Sequence, residues 1–166
     1  VPEKRADLLI DAFSRLNTNM HLVIAGGGSD TSGFEASLRQ QTASDGRVIF
    51  TGFVTGRPLA ELYSNAYAYV LPSDVEGMPL SLLEAMSYRC CCVTSDIPEC
   101  ADVLAGSGRT FKHGDADDLL RVLASLIDAP EFAGDLGEAA KTRVLSTYDW
   151  DSVVERTLEI YRGDVR

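Results

Sequence analysis

Apolar residues along this chain gather in two patterns: stripes that recur every three or four positions, and short unbroken runs closed by glycine or proline. Leu8, Leu9, Ala12, Phe13 and Leu16 form the first stripe and predict a helix over residues 4–16. His21-Leu22-Val23-Ile24-Ala25 is the first run, closed by Gly26-Gly27-Gly28, and predicts a buried strand entering a glycine loop. The alternation then repeats. Helices are expected over 34–41, 58–66, 80–88 and 98–104, with Pro58 suited to a first helical turn. Strands are expected over 48–50 (stopping at Gly52), 68–71 (ending at Pro72), 91–94 and 109–111. Three more helices, over 115–127, 131–146 and 150–161, complete the chain.

Strand runs that are apolar throughout predict a sheet covered on both faces. Strict alternation of strand and helix predicts right-handed crossovers, hence a Rossmann-like α/β fold with a doubly wound parallel sheet. One domain over 1–166 is expected, with its last helices at 131–162. Ligands of such sheets sit beyond the carboxyl ends of the strands, which singles out the loops 26–33, 52–57, 73–79 and 95–99. A doubly wound domain ordinarily begins with a strand, whereas this chain opens on a helix. An upstream strand is therefore expected, either lost from this stretch or supplied from elsewhere.

Composition narrows the class of ligand. Of 166 residues, 45% are hydrophobic and 24% charged, enough for a packed core. Fifteen basic against 25 acidic side chains leave a net charge of −10. That balance argues against nucleic acid or an anionic membrane as principal partner. No run approaches the roughly 20 apolar residues of a membrane span, and no signal-peptide pattern opens the chain. Cys90, Cys91 and Cys92 are consecutive and Cys100 follows, a poor arrangement for converging on a metal. They are expected as reduced, buried thiols of a cytosolic protein.

The segment Leu71-Pro-Ser-Asp-Val-Glu-Gly-Met-Pro-Leu-Ser-Leu-Leu-Glu-Ala-Met carries the most chemistry. It reads as a strand end, a turn at Gly77 and a helix start, whose free N–H groups attract phosphate. Glu76 precedes this nest and Glu84 lies about one turn inside the helix. Two acids would repel a bare phosphate, but each can accept hydrogen bonds from sugar hydroxyls on either side of a diphosphate. The alternative is that Glu76 is a solvated loop residue and Glu84 a helix-surface acid. Elsewhere, Gly26-Gly27-Gly28 lacks the third glycine of a dinucleotide fingerprint, position 31 being Thr. His21 and His113 are expected to be structural, Trp150 to anchor the last helix, and Asp115, Asp117 and Asp118 to cap a helix start.

Glu76-Gly-Met-Pro-Leu-Ser-Leu-Leu-Glu84 resembles the E-x7-E signature of family 4 glycosyltransferases. Glu3-Lys4-Arg5-Ala6-Asp7-Leu8-Leu9-Ile10-Asp11-Ala12-Phe13 is similar to the E-K-G-x-D-x-L-I-x-A-F opening of that family. Leu22-Val-Ile-Ala-Gly-Gly-Gly, Val48-Ile-Phe-Thr-Gly-Phe-Val, Ser95-Asp-Ile-Pro-Glu99 and Tyr148-Asp-Trp150 fit in order and spacing, covering nearly the whole chain. The resemblance implies the C-terminal, nucleotide-sugar-binding domain of a retaining, metal-independent GT-B enzyme, with no cofactor beyond its nucleotide-diphosphate sugar substrate. Glu76 would be catalytic, holding hydroxyls of the transferred sugar. Lys4 would pair with the diphosphate, Glu84 with the ribose, and the N–H groups of Gly77, Met78 and Leu80 with phosphate. Phe53 and Val54 would touch the base, the alternative for Phe53 being a lid on the core.

A glycan or lipid acceptor would enter through an N-terminal domain outside this stretch, in a cytoplasmic enzyme of polysaccharide biosynthesis that is peripheral to a membrane or free of it. Departures from the family pattern are Pro79, which removes one N–H from the nest, Arg89 in place of a glycine, Cys91 in place of a proline, and the lack here of an upstream arginine. The rivals are a noncatalytic nucleotide-sugar-binding module and another GT-B enzyme, such as a sugar-nucleotide epimerase or a phosphorylase.

Overall fold

A computed structural model describes residues 1–27 and 32–163 of the chain. After a 3-10 turn at Pro2–Lys4, the elements run α1 (Ala6–Ser14), β1 (Leu22–Ala25), α2 (Ser32–Gln41), β2 (Val48–Gly52), α3 (Gly56–Asn65), β3 (Ala68–Leu71) and α4 (Leu80–Ser87). Then follow β4 (Cys91–Ser95), α5 (Pro98–Leu104), β5 (Arg109–Phe111), α6 (Ala116–Ile127), α7 (Pro130–Thr147) and α8 (Trp150–Arg162). The expected alternation is present throughout. The first helix starts later than its apolar stripe suggests, because Arg5 takes a left-handed backbone (φ 49, ψ 42) and turns the chain between Lys4 and Ala6.

Among the described residues the three strand pairs are parallel, as the crossovers require, with one isolated antiparallel bridge from Gly26 to Gly52. The expected single sheet is divided in two among the described residues: β1 pairs with β2, while β4 lies between β3 and β5. Cover on both faces holds for β4, whose five residues are all buried, but not for β1 and β2. Leu22 and Val48 turn toward the core around Phe13 and Leu16, while Val23 and Ile49 on the opposite face stay about 40% exposed (39% and 43%). Apolar composition states what a residue favours. It does not supply the element that must cover it.

The centre of the molecule is β4. Cys91 and Val93 face Phe13, Leu119 and Leu136 in one cluster, and Cys90 and Cys92 join Leu82, Met86 and Leu104 in the other. All four cysteines are free and buried. Arg89, just before β4, has φ 67 and occupies a left-handed cap, a state that costs a non-glycine residue on the order of 1 kcal/mol. Its side chain turns outward to Glu138 of α7. Gly137 is required beside it, since a Cβ there would stand 2.2 Å from the Arg89 carbonyl oxygen.

Two helix ends are completed from a distance. Arg47 donates to the carbonyls of Leu16 (2.9 Å) and Thr18 (3.2 Å) after α1, and its guanidinium lies over the Phe13 ring. Arg143 of α7 donates to the Val103 and Asp102 carbonyls at the end of α5 (2.6 and 2.8 Å). Asp115 caps α6 as expected, accepting from the N–H groups of Asp117 and Asp118. Trp150 does not anchor the last helix: it is 79% exposed, and α8 buries no residue. Asp149 caps that helix locally, accepting from the N–H groups of Asp151 and Ser152. Gly28 and Thr31, the end of the glycine loop and the position of the absent third glycine, lie outside the described residues.

Burial pushes the thiols of Cys90, Cys91 and Cys100 from an ordinary 9.0 up to about 11. Because the folded state keeps its protons longer, the thiols' contribution to stability is expected to be constant below pH 9 and to fall as pH rises from 9 toward 11. Denaturant midpoints across that range will show the slope. Thiol-specific labelling will read zero accessible cysteines in the folded chain and four after unfolding.

Candidate functional site

The loops at the carboxyl ends of β3, β4 and β5 meet the 3-10 turn at one end of the larger sheet. Asp74 of the β3–α4 loop donates its N–H to the Glu3 carbonyl at 2.8 Å, and Lys4 Nζ lies 2.6 Å from Glu76 Oε1. The structure therefore brings Lys4 and Glu76 together. The Glu76 side chain is 7% exposed while that of Lys4 is 49% exposed, so a nearly buried carboxylate is covered by a solvated ammonium. Cys100 lies close by, fully buried. Its desolvated thiol, raised further by Glu76 and Glu99, is a packing group and not a nucleophile.

The turn into α4 is set by Pro79. Leu80 donates its N–H to the Met78 carbonyl at 2.8 Å around Pro79 (φ −76, ψ 75), an inverse γ-turn. The expected phosphate contact from the Leu80 N–H is thereby corrected, for that group is already bonded. Pro79 also supplies its carbonyl to the N–H groups of Leu82 and Leu83. Among the described residues no protein acceptor meets the N–H groups of Gly77, Met78 or Ser81. Ser81 is the donor that sequence spacing missed. Only the γ-turn, which spends Leu80 and skips Pro79, makes its N–H the first free one of the helix. At Gly77 an added Cβ would meet open space and φ is not positive, so the fold itself does not demand glycine there. The open side of that residue is where a ligand can come close.

Glu84 is exposed on α4, and its Oε2 accepts from the Tyr63 hydroxyl at 3.3 Å. Tyr63 stacks on Tyr88 with ring centres 5.5 Å apart and leans on Tyr69, whose hydroxyl donates to Ser81 Oγ at 2.8 Å. Burial, assisted by Glu84 at Tyr63 and by Tyr63, Cys92 and Glu76 at Tyr69, holds both phenols protonated well above their ordinary range. The Tyr63 hydroxyl also reaches the Ser81 carbonyl at 3.4 Å, so both phenols meet at Ser81 in the first turn of α4. Glu76 is shielded, whereas Glu84 stays on the helix surface with Tyr63 as its one protein partner among the described residues.

At the carboxyl end of the smaller sheet, Gly26 donates its N–H to the Gly52 carbonyl at 2.9 Å, joining the glycine loop to the loop that carries Phe53. Phe53 is 82% exposed and Val54 half-buried, so Phe53 does not act as a core lid. His113 is more than a spacer: its Nε2 sits 2.8 Å from Asp74 Oδ1, and its N–H donates to Asp96 at 2.8 Å. No group of three potential metal-ligating side chains converges among the described residues, and no helix there is long and apolar enough to cross a membrane.

The family profile described as "Glycosyl transferases group 1" matches residues 1–143. The chain is 31% identical over 168 residues to an alpha-maltose-1-phosphate synthase of Mycolicibacterium smegmatis, covering 93% of this chain and 43% of that protein. It is 30% identical to a glycogen synthase of Deinococcus radiodurans, covering 97% and 36%. Among solved structures it superposes on Anabaena HepE, determined with UDP and glucose, at a TM-score of 0.90 with 18% identity, covering 98% of this chain and 46% of that one. The sucrose-phosphate synthase of Thermosynechococcus elongatus gives 0.87 with 24% identity, covering 98% and 43%. These two likenesses establish the fold. The chain spans less than half the length of these relatives.

Because Phe53 makes little contact with the core, Phe53→Ser is expected to change unfolding stability by less than about 0.5 kcal/mol. Leu82→Ala, which empties a fully buried position of α4, should cost roughly 2–5 kcal/mol. Urea denaturation of both variants will separate the two environments.

Proposed function

The chain belongs to the group 1 glycosyl transferases, and we propose that it is the donor-binding half of an enzyme that carries a sugar from a nucleoside diphosphate to an acceptor, with retention at the anomeric carbon, as in family 4. The observation that carries this reading is the β3–α4 turn. Its N–H groups at Gly77, Met78 and Ser81 lack acceptors among the described residues, its glycine opens on free space, and an ammonium stands over a shielded carboxylate beside it. Such a cup suits an anion bearing hydroxyls.

In this reading the diphosphate lies on the amide groups, and Lys4 turns from Glu76 toward the phosphate oxygens. Charge that builds on the leaving diphosphate is met by donors already in place, which act without reorganising. Glu76, released from Lys4, accepts hydroxyls of the transferred sugar and orients its oxocarbenium-like transition state. Glu84, held by Tyr63, accepts the ribose hydroxyls. Phe53 and Val54 meet the base, Phe53 offering a solvent-facing ring and the backbone around it the polar contacts. No metal ion is needed in this scheme, because the amides and Lys4 supply the compensating charge.

The acceptor, a glycan or a lipid, would be bound by parts of the protein outside this chain. Relatives named for maltose-1-phosphate and glycogen synthesis favour carbohydrate assembly as the setting. Buried reduced thiols and an acidic net charge suit a cytoplasmic enzyme that touches membranes at most peripherally.

In the full-length protein, Glu76→Ala should lower turnover at least about 100-fold while nucleoside diphosphate affinity stays within a few-fold. A wild type that binds donor without turning it over would instead indicate a noncatalytic module, and products formed from donor without acceptor would indicate an epimerase. Tyr63→Phe should weaken binding of a nucleoside diphosphate roughly 2- to 10-fold and leave its 2′,3′-dideoxy analogue unaffected. Calorimetry with uridine, guanosine and adenosine diphosphates measures both variants.

A further inference from the structure

Lys4 and Glu76 act, in the reading above, through their placement, and that placement depends on neighbours that would not themselves touch the donor. Arg5 follows Lys4 directly and holds a left-handed backbone, φ 49, that glycine adopts without strain and an arginine does not. A strained residue of this kind persists only where its surroundings over-determine it. Here they do. The Arg5 N–H donates to the Pro2 carbonyl at 2.9 Å, and the Arg5 carbonyl accepts from Leu8 and Leu9. The Arg5 guanidinium reaches Asp7 on one side and Asp74 Oδ1, at 3.2 Å, on the other. That same Asp74 oxygen receives His113 Nε2 at 2.8 Å from the β5–α6 loop. His113 is tied in turn to Asp96 of the β4–α5 loop, whose N–H donates to the Phe111 carbonyl.

Asp74 thus stands two residues before Glu76 and is gripped from both sides: by the turn that carries Lys4, and by the loops that end β4 and β5. The Arg5, Asp74 and His113 side chains are 28%, 36% and 46% exposed. Ion pairs that open to solvent contribute little to stability. A contact that stabilises little yet holds a strained backbone acts chiefly on geometry. Desolvation raises the Asp74 carboxyl, but the bonds from His113 and Arg5 outweigh it and keep the group below its ordinary value, so it remains an anion able to hold both neighbours.

We propose that Arg5, Asp74 and His113 form a positioning network that sets the distance between Lys4 and Glu76 and so tunes recognition of the diphosphate. This rests on the donor-binding reading of the same cup. Arg5→Gly is the informative variant, because it removes the side-chain bonds while relieving the backbone strain. A merely structural role and a positioning role therefore give different results.

The experiment uses the full-length protein and reads two quantities for wild type, Arg5→Gly and Asp74→Asn. One is the thermal unfolding midpoint. The other is the ratio of affinities for a nucleoside diphosphate and its monophosphate, with uridine, guanosine and adenosine nucleotides as probes. The network predicts an unchanged or higher midpoint for Arg5→Gly and a diphosphate-to-monophosphate ratio about tenfold lower in both variants. His113→Gln, which approaches Asp74 from the opposite side, should lower the ratio in the same sense and keeps the test open if Asp74→Asn folds poorly. Unchanged ratios in all three variants, with wild type binding a diphosphate, overturn the network and leave the donor-binding reading standing. A fall in midpoint that accounts for the whole loss of affinity also overturns it. A wild type that binds none of the three diphosphates overturns both.

Discussion

Docking of α4 onto β4 is the constraint from which the site follows. Leu82, Ala85 and Met86 have no exposure at all, and they pack with Cys92 of the central strand and Cys90 just before it. With that face fixed, the first turn of α4 can point only outward along the carboxyl end of the sheet. Pro79 then fixes how the loop enters, and Glu76, Gly77 and Met78 fall at the mouth of the turn. Burial of a few apolar side chains therefore decides where unpartnered amides are displayed. The order of cause runs from packing to chemistry.

Electrostatics acts on a smaller scale. A chain with a net charge of −10 is poorly suited to attract an anionic donor from a distance. In the proposed reading recognition is local, and the local charges near the cup nearly cancel: Lys4 with Glu76, Arg5 with Asp7 and Asp74. Such mutual neutralisation lets a carboxylate that is 7% exposed exist before any ligand arrives. In the proposed reading, binding is an exchange of partners, in which an ammonium leaves a carboxylate for a phosphate.

Much of this could be read from the chain itself. The alternation of strands and helices, the buried thiols, the Asp115 cap and the pairing of Glu76 with a helix start all follow from local pattern, because each depends on residues close in sequence. The left-handed Arg89 was legible too, as an arginine where a glycine is usual. What escaped were facts set by distant partners. His113 offers no local sign that Asp74 lies 39 positions away in sequence and 2.8 Å away in space. Trp150 looks like an anchor by composition, yet nothing among the described residues covers it. The division of the sheet, and the exposed face of Val23 and Ile49, likewise depend on what lies beside β1 and not on β1. The loss of the Leu80 donor is the subtlest case, since it arises from one γ-turn that only backbone angles reveal.

The two remote arginine caps have a kinetic consequence. Carbonyls just after α1 accept from Arg47, 31 positions beyond Leu16, and two near the end of α5 accept from Arg143, 40 positions beyond Val103. Local bonds close part of each end, and the remainder of the reward arrives only after a long loop has closed. Each end is thereby bound to the fate of a later segment. The chain should cross its main barrier as one unit, with little profit from assembling its helices one at a time.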